Sequence, residues 1–231
     1  VVFAIMPWNF PLWQALRCAI PAIFAGNTVM LKHASNVTGS AIATAKLVAE
    51  AFGRDDLLQV LVIAGAEAEK IIARPEISAV SFTGSTDVGR KIAAAAGQHL
   101  KKSVLELGGS DPYLILADAD LDLAAKVCAK SRLLNSGQSC ISAKRFIVEQ
   151  SVKAGFTKKF LSHLQEATLA PLAREDLREE LQALVDKSVQ QGAKLLCGGK
   201  IPAGPGYYYP ATVLDGVKPG MAAFDEETFG P

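Results

Sequence analysis

ISAVSFTGSTDVGR, residues 77–90, carries the pattern that decides the fold. ISAVSFTG reads as a buried strand, and Gly84 and Ser85 lead from it into a helix whose first turn carries Thr86 and Asp87. A strand that turns through glycine into a helix is half of a crossover unit, and the same half recurs on either side. Upstream, VVFAI reads as a strand, PLWQALRCAIPAIFAG as a helix disturbed at Pro21, and NTVMLK as a second strand bounded by Gly26 and Asn27. In TGSAIATAKLVAEAFG, Ala41, Ala45, Val48 and Phe52 share one helical face, with Thr38 placed to cap the start and Gly53 the end. LLQVLVIAG is a third strand and AEAEKIIARP a short helix. Downstream, after Gly89, a helix runs through the alanines to about Gly97, and SVLELGG adds one more strand ending in a glycine pair. Such alternation is the mark of right-handed crossovers building a parallel sheet covered by helices.

The pattern then restarts, and a domain boundary is expected near Gly108 and Gly109. YLIL is a strand, DADLDLAAKVCAKSRLLN a helix opened by Asp118 and Asp120, NSGQSC (135–140) a turn, and KRFIVEQ a strand. Two amphipathic helices, about 151–167 and 175–191, precede the Gly/Pro-rich GGKIPAGPGYYYP.

Composition narrows the function classes. The chain of 231 residues has 24 Lys+Arg against 23 Asp+Glu, and a net charge of +1 provides no field to attract nucleic acid or an anionic membrane. No run reaches the roughly 18 apolar residues of a spanning helix. The four cysteines, Cys18, Cys128, Cys140 and Cys197, form no C-x-x-C, and no histidine stands at metal-ligand spacing. Neither a metal site nor a disulfide framework is expected, and a reducing, cytoplasmic compartment is. VVFAIMPWNFP has no basic leader region and no initiating Met, and the chain stops on EETFGP, so a fragment with unpaired strand edges is expected.

Cys140 stands apart from the other cysteines. Cys18 and Cys128 sit inside apolar helical runs, as buried thiols do, whereas Cys140 ends a small polar turn. A thiol placed there is one to be reached, for attack on a carbonyl. Glu106, in the apolar strand SVLELGG, is expected to be desolvated, which disfavours its charged form and suits a general base; a solvent-facing Glu on an edge strand is the alternative. Asn9, held in PWNFP, offers an amide N–H to a developing oxyanion, or to its own backbone. The Gly84–Ser85 helix start has the free N–H groups that attract phosphate. His33, His99 and His163 lie near none of these and read as surface or helix residues.

Taken together and in order, PWNFP (7–11), LK (31–32), FTGSTDVG (82–89), LELGG (105–109), NSGQSC (135–140) and EETFGP (226–231) resemble the aldehyde dehydrogenase superfamily over essentially the whole chain. MPWNFPLWQALR, LELGGSDP and CISAKRFIVE look most like its bacterial succinate-semialdehyde dehydrogenase branch. The resemblance implies a partial Rossmann-like parallel-sheet cofactor domain over 1–107 and a partial α/β catalytic domain over 108–231. It implies that Cys140 adds to the aldehyde, that Asn9 and the Cys140 N–H hold the adduct's oxygen, and that Glu106 activates the water that hydrolyses the thioester. Lys32 and Glu227 match contacts to the two riboses, Gly84 and Ser85 the phosphate turn, and Ile5 and Trp8 the lining of the cofactor groove. Ser35 stands where NAD-preferring members carry Glu; a serine leaves room for a 2′-phosphate, so NADP is expected to be accepted, alongside NAD. Arg17 matches a substrate-carboxylate anchor, while the second arginine of several relatives is Leu134 here. The implied partners are a small aldehyde and, for the full-length protein, copies of itself in a dimer or tetramer. Two rivals share the scaffold: a cofactor-independent thiol esterase using Cys140 and Glu106, and a non-catalytic relative.

Overall fold

The computed structural model describes residues 1–231, which divide into two compact units, Val1–Gly108 and Gly109–Pro231. The first is built on five parallel strands: β1 (Val2–Met6), β2 (Val29–His33), β3 (Leu58–Val60), β4 (Ala79–Thr83) and β5 (Lys102–Glu106), in spatial order β3-β2-β1-β4-β5. Helices α1 (Pro11–Phe24), α2 (Thr38–Phe52), α3 (Ala68–Ile72) and α4 (Thr86–Gln98) make the crossovers. Strand β1 shows why its sequence reads as an unbroken apolar run: it is covered on both faces. Phe3 and Ile5 pack with Val80, Phe82, Ile72 and Ile92 toward α3 and α4. Ala4 and Met6 pack with Leu31, Ala15, Ala19 and Val48 toward α1 and α2. Burying a side chain such as Phe3, wholly inaccessible here, contributes about 1.5–3 kcal/mol. The expected α/β parallel sheet is therefore what the chain forms.

Details differ from the sequence reading where local chemistry competes. Helix α1 is not ended by Pro21, although that residue has no N–H to offer the preceding turn. It starts from Phe10 in a left-handed conformation (φ 51°, ψ 54°), with Pro11 in the first turn. Thr38 does not cap α2 but is its first residue, and its hydroxyl donates to the Ser35 carbonyl at 3.0 Å. Gly53 ends that helix in the left-handed region (φ 65°), as expected. Helix α4 starts at Thr86, with Thr86 and Asp87 in its first turn as read, and Gly89 lies inside it, where a Cβ would collide with Leu107. Strand β3 is only three residues long, and the rest of LLQVLVIAG leaves the sheet, with Val62 68% exposed.

The second unit contains a parallel pair, β6 (Asp111–Ile115) and β7 (Ala143–Val148), joined through α5 (Leu121–Leu133). Asp120 alone caps α5, accepting from the N–H groups of Asp122 and Leu123 at 3.0 and 3.1 Å; Asp118 takes no part in the cap. Helix α6 (Lys153–Gln165) packs Phe156 and Phe160 against Phe146, Cys128 and Ala125. Helix α7 (Glu175–Gln190), an antiparallel pair β8 (Lys194–Cys197) and β9 (Val213–Asp215), and the short α8 (Ala222–Asp225) complete it. The β8–β9 pair was masked in sequence by the Gly/Pro-rich connection between its strands. No helix is long and apolar enough to cross a membrane.

Candidate active site

In the first unit the parallel sheet sets the geometry, because every strand delivers its C-terminal residue to the same edge. The strand order reverses at β1, and ligands of such sheets bind at the carboxyl ends beside the reversal. After β1 come Trp8 and Asn9, and Asn9 is 7% exposed. At the end of β2, Lys32 is buried, donates to the His33 carbonyl at 3.1 Å, and has its pKa lowered by burial. His33 corrects the surface expectation: it ends β2 at 5% exposure, and its Nε2 lies 2.9 Å from the Pro11 carbonyl. Ser35 is exposed just beyond, with Thr38, Val60 and Ala64 on the wall of a cavity of about 280 Å³.

At the end of β4, the Gly84 N–H is spent on the Glu106 carbonyl at 3.0 Å. A Cβ there would stand 2.6 Å from the Phe82 ring, so this glycine is required by its own strand's packing. Ser85 precedes α4 in an extended conformation (ψ 150°), its hydroxyl making no capping bond and its side chain exposed. Ile5 belongs to the core, at 8% exposure. Its side chain is thus mostly covered by β4 and the α3/α4 face.

Glu106 ends the edge strand β5, and the desolvation expected from its apolar neighbours is absent: its side chain is 53% exposed, and Val104 is 62% exposed. The apolar letters of SVLELGG do not enclose it, because β5 pairs on one side only. Instead, Arg17 of α1 donates to Glu106 Oε1 at 3.3 Å, across 89 residues of sequence. Two residues assigned separately, as substrate anchor and general base, thus form one ion pair.

In the second unit, the turn bearing Cys140 is wound unusually tightly. Asn135, Ser136 and Gly137 lie consecutively in the left-handed region, with φ of 53°, 54° and 74°. Two non-glycine residues in that region store strain that surrounding contacts must offset. Asn135 and Gln138 bond each other's backbone carbonyls at 3.2 and 3.0 Å. The Ala173 N–H donates to Gln138 Oε1 at 2.8 Å, and the Ala170 N–H to the Ser136 hydroxyl at 3.0 Å. These polar residues within NSGQSC hold the loop and leave Cys140 half-buried. Cys128 differs as expected: it is buried in α5, and burial pushes its thiol up to about 11.

The last six residues run beside this turn. Gly230 donates to the Gly137 carbonyl at 3.1 Å, and a Cβ at Gly137 would fall 1.9 Å from the Gly230 oxygen. Arg132, on α5, donates to the carbonyl oxygens of Thr228 (3.0 Å) and Gly230. Burial pushes its guanidinium down to about 10, with Glu227 pulling the other way. Lys144, on β7, donates to the Cys140 carbonyl at 2.6 Å and lies 3.2 Å from Glu227 Oε1. That oxygen is itself inaccessible, and the ammonium of Lys144 is the charge that faces it. Sequence reading missed Arg132 and Lys144. Nothing in the letters set them apart, since α5 also carries Lys126 and Lys130 and β7 also carries Arg145.

The family model described as "Aldehyde dehydrogenase family" matches residues 1–231. The chain belongs to the aldehyde dehydrogenase family. It is 44% identical to a succinate-semialdehyde dehydrogenase of Mycolicibacterium paratuberculosis named for NADP(+), covering all of this chain and 51% of that protein. It is 47% identical to a succinate semialdehyde dehydrogenase of Escherichia coli named for NAD(P)+, covering all of this chain and 52% of that protein. Among solved structures, succinic semialdehyde dehydrogenase from Streptococcus pyogenes in complex with NADP+ superposes with a TM-score of 0.95 at 35% identity, over the whole chain and 53% of that one. Lactaldehyde dehydrogenase from Escherichia coli superposes with a TM-score of 0.96 at 35% identity, over the whole chain and 51% of that one. The chain spans about half the length of the curated relatives it matches.

Proposed function

We propose that the protein containing this chain oxidises an aldehyde, succinate semialdehyde foremost, to the carboxylic acid with NADP or NAD. The observation that carries this is the collection of Lys32, Ser35 and Ser85 at one edge of a parallel sheet ordered 3-2-1-4-5, the arrangement that binds dinucleotides. Relatives named for succinate semialdehyde and for NADP(+) support the substrate and cofactor. In this assignment the first unit holds the cofactor and the second carries the nucleophile.

Lys32 and Glu227 would hold the two riboses, Ser35 would tolerate or donate to a 2′-phosphate, and Gly84–Ser85 would present the start of α4 to the pyrophosphate. The exposed Ser85 hydroxyl, which makes no capping bond, and the part-exposed Glu227 carboxylate fit such a group. When bound, the nicotinamide supplies the hydride acceptor. The Cys140 sulfur adds to the aldehyde carbon, and the side-chain N–H of Asn9 with the Cys140 backbone N–H stabilises the oxygen as it becomes anionic. With that acceptor in place the adduct would give up its hydride and leave a thioester on Cys140. Glu106 then takes a proton from water, which displaces the thiolate and releases the acid. Arg17 meets the distal carboxylate of succinate semialdehyde, exchanging its bond to Glu106 for one to substrate. The same assignment carries a cytoplasmic homo-oligomer with it.

The test is reduced-cofactor formation by the complete protein against succinate semialdehyde, glutarate semialdehyde and neutral aliphatic aldehydes. A kcat/KM highest for the four-carbon semialdehyde is expected. Ester hydrolysis without any reduced cofactor formed would point to a thiol esterase, and no turnover of any kind to a non-catalytic relative.

A further inference from the structure

The side chain of Lys144 is wholly inaccessible. A buried ammonium is costly unless its partners are well placed, and a methionine of similar length would fill the same space without that cost. Its two neighbours are the Cys140 carbonyl at 2.6 Å and the Glu227 carboxylate at 3.2 Å. Arg132, the other buried cation nearby, is committed to the Thr228 and Gly230 carbonyls and leaves Lys144 unreplaced.

We infer that Lys144 is a positioning residue that couples occupancy at Glu227 to the reactivity of Cys140, one ammonium holding the nucleophile's own carbonyl and the carboxylate assigned to a ribose. This rests on the proposed role of Glu227. The Cys140 carbonyl belongs to the peptide that follows the nucleophile, so holding it restrains the backbone of the turn from which the sulfur projects and places the ammonium's charge beside it. A hydroxyl donating to Glu227 spreads the carboxylate's charge and loosens its hold on Lys144. The ammonium then turns more fully to the Cys140 carbonyl. The tight packing of Gly137 on Gly230 keeps the two segments from drifting apart while this happens.

The experiment measures the rate at which iodoacetamide alkylates Cys140 in the complete protein, with and without saturating NADP+, by peptide mass mapping. Wild type, K144R, K144M, E227Q and the K144M/E227Q double variant are compared, with kcat and the KM for NADP+ alongside. Wild type is expected to change its alkylation rate by about three- to tenfold on cofactor addition, toward the lower end of what coupled neighbours give. K144M and E227Q should each lose that response, the double variant should lose no more than either single one, and K144R should restore part of it. A folded K144M that keeps the full response, or a wild type that binds NADP+ with no response at all, overturns the coupling. Should K144M not fold, E227Q decides: a retained response there overturns it equally. A wild type that turns over aldehyde while K144M responds normally sinks only the coupling. One that forms no reduced cofactor from any aldehyde sinks the proposed function.

Discussion

Replacing Arg17 separates two things its guanidinium does. In the chain it lies 3.3 Å from Glu106, with side chains 43% and 53% exposed. At that distance two unit charges in bulk water attract by about 1.3 kcal/mol. Measured exposed pairs net only about 0–1 kcal/mol after entropy and screening. Arg17→Gln is therefore expected to leave the melting temperature almost unchanged. A charge-assisted bond to a substrate carboxylate held out of water is a larger matter, about 1.5–3 kcal/mol, or roughly 10- to 150-fold. The assay is kcat/KM for succinate semialdehyde against an uncharged aldehyde of the same length, on the complete protein. The charged substrate should lose that factor, mostly through KM, and the neutral one should change by less than about threefold. Equal losses for both substrates would mean that Arg17 serves to hold Glu106 and not to bind substrate. No loss for either would remove it from the site.

Three other outcomes follow from the structure. Ser35→Glu should cut kcat/KM with NADP by tenfold or more on the scale of about 1.4 kcal/mol per decade, while sparing NAD, because a carboxylate on that cavity wall repels a 2′-phosphate; steady-state kinetics with both cofactors checks it. Gly137→Ala forces a Cβ to within 1.9 Å of the Gly230 oxygen at a φ of 74°, so a loss of more than about 3 kcal/mol is expected by thermal or denaturant unfolding. Stability should also fall between pH 9 and about 11, where Cys128, raised from 9.0 by burial, keeps its proton when folded and loses it when unfolded. The folded state binds more protons across that window, so stability is full below it and lost as pH rises through it. In Cys128→Ala this alkaline slope should be shallower, as read from unfolding midpoints against pH.

How much the letters disclosed depended on how local the physics was. The parallel sheet was legible because strand and helix periods and glycine turns act within a few residues: Ala41 and Val48 lie on the buried face of α2 as read, with Thr44 beside them and Phe52 of the expected face exposed, and Gly53 needs only its own φ. The setting of Cys140, half-buried at the end of a tight turn while Cys128 is buried in a helix, was legible because a thiol in a small polar turn is conspicuous among helical cysteines. Between the two readings the letters left open for Glu106, the solvent-facing one holds, since exposure at an edge strand depends on what packs beside it and not on its apolar neighbours in sequence. His33 was misjudged for the same reason, being covered through β2 and the Pro11 carbonyl.

What sequence alone determined, then, is the order of elements and the parallel α/β class. Tertiary structure alone decided the pairings: Arg17 with Glu106, Arg132 with Thr228, and Lys144 with both Cys140 and Glu227. Periodicity and capping energies are summed along the chain. An ion pair or a buried donor is chosen by proximity in space, and partners 89 or 96 residues apart leave no periodic trace in the letters between them.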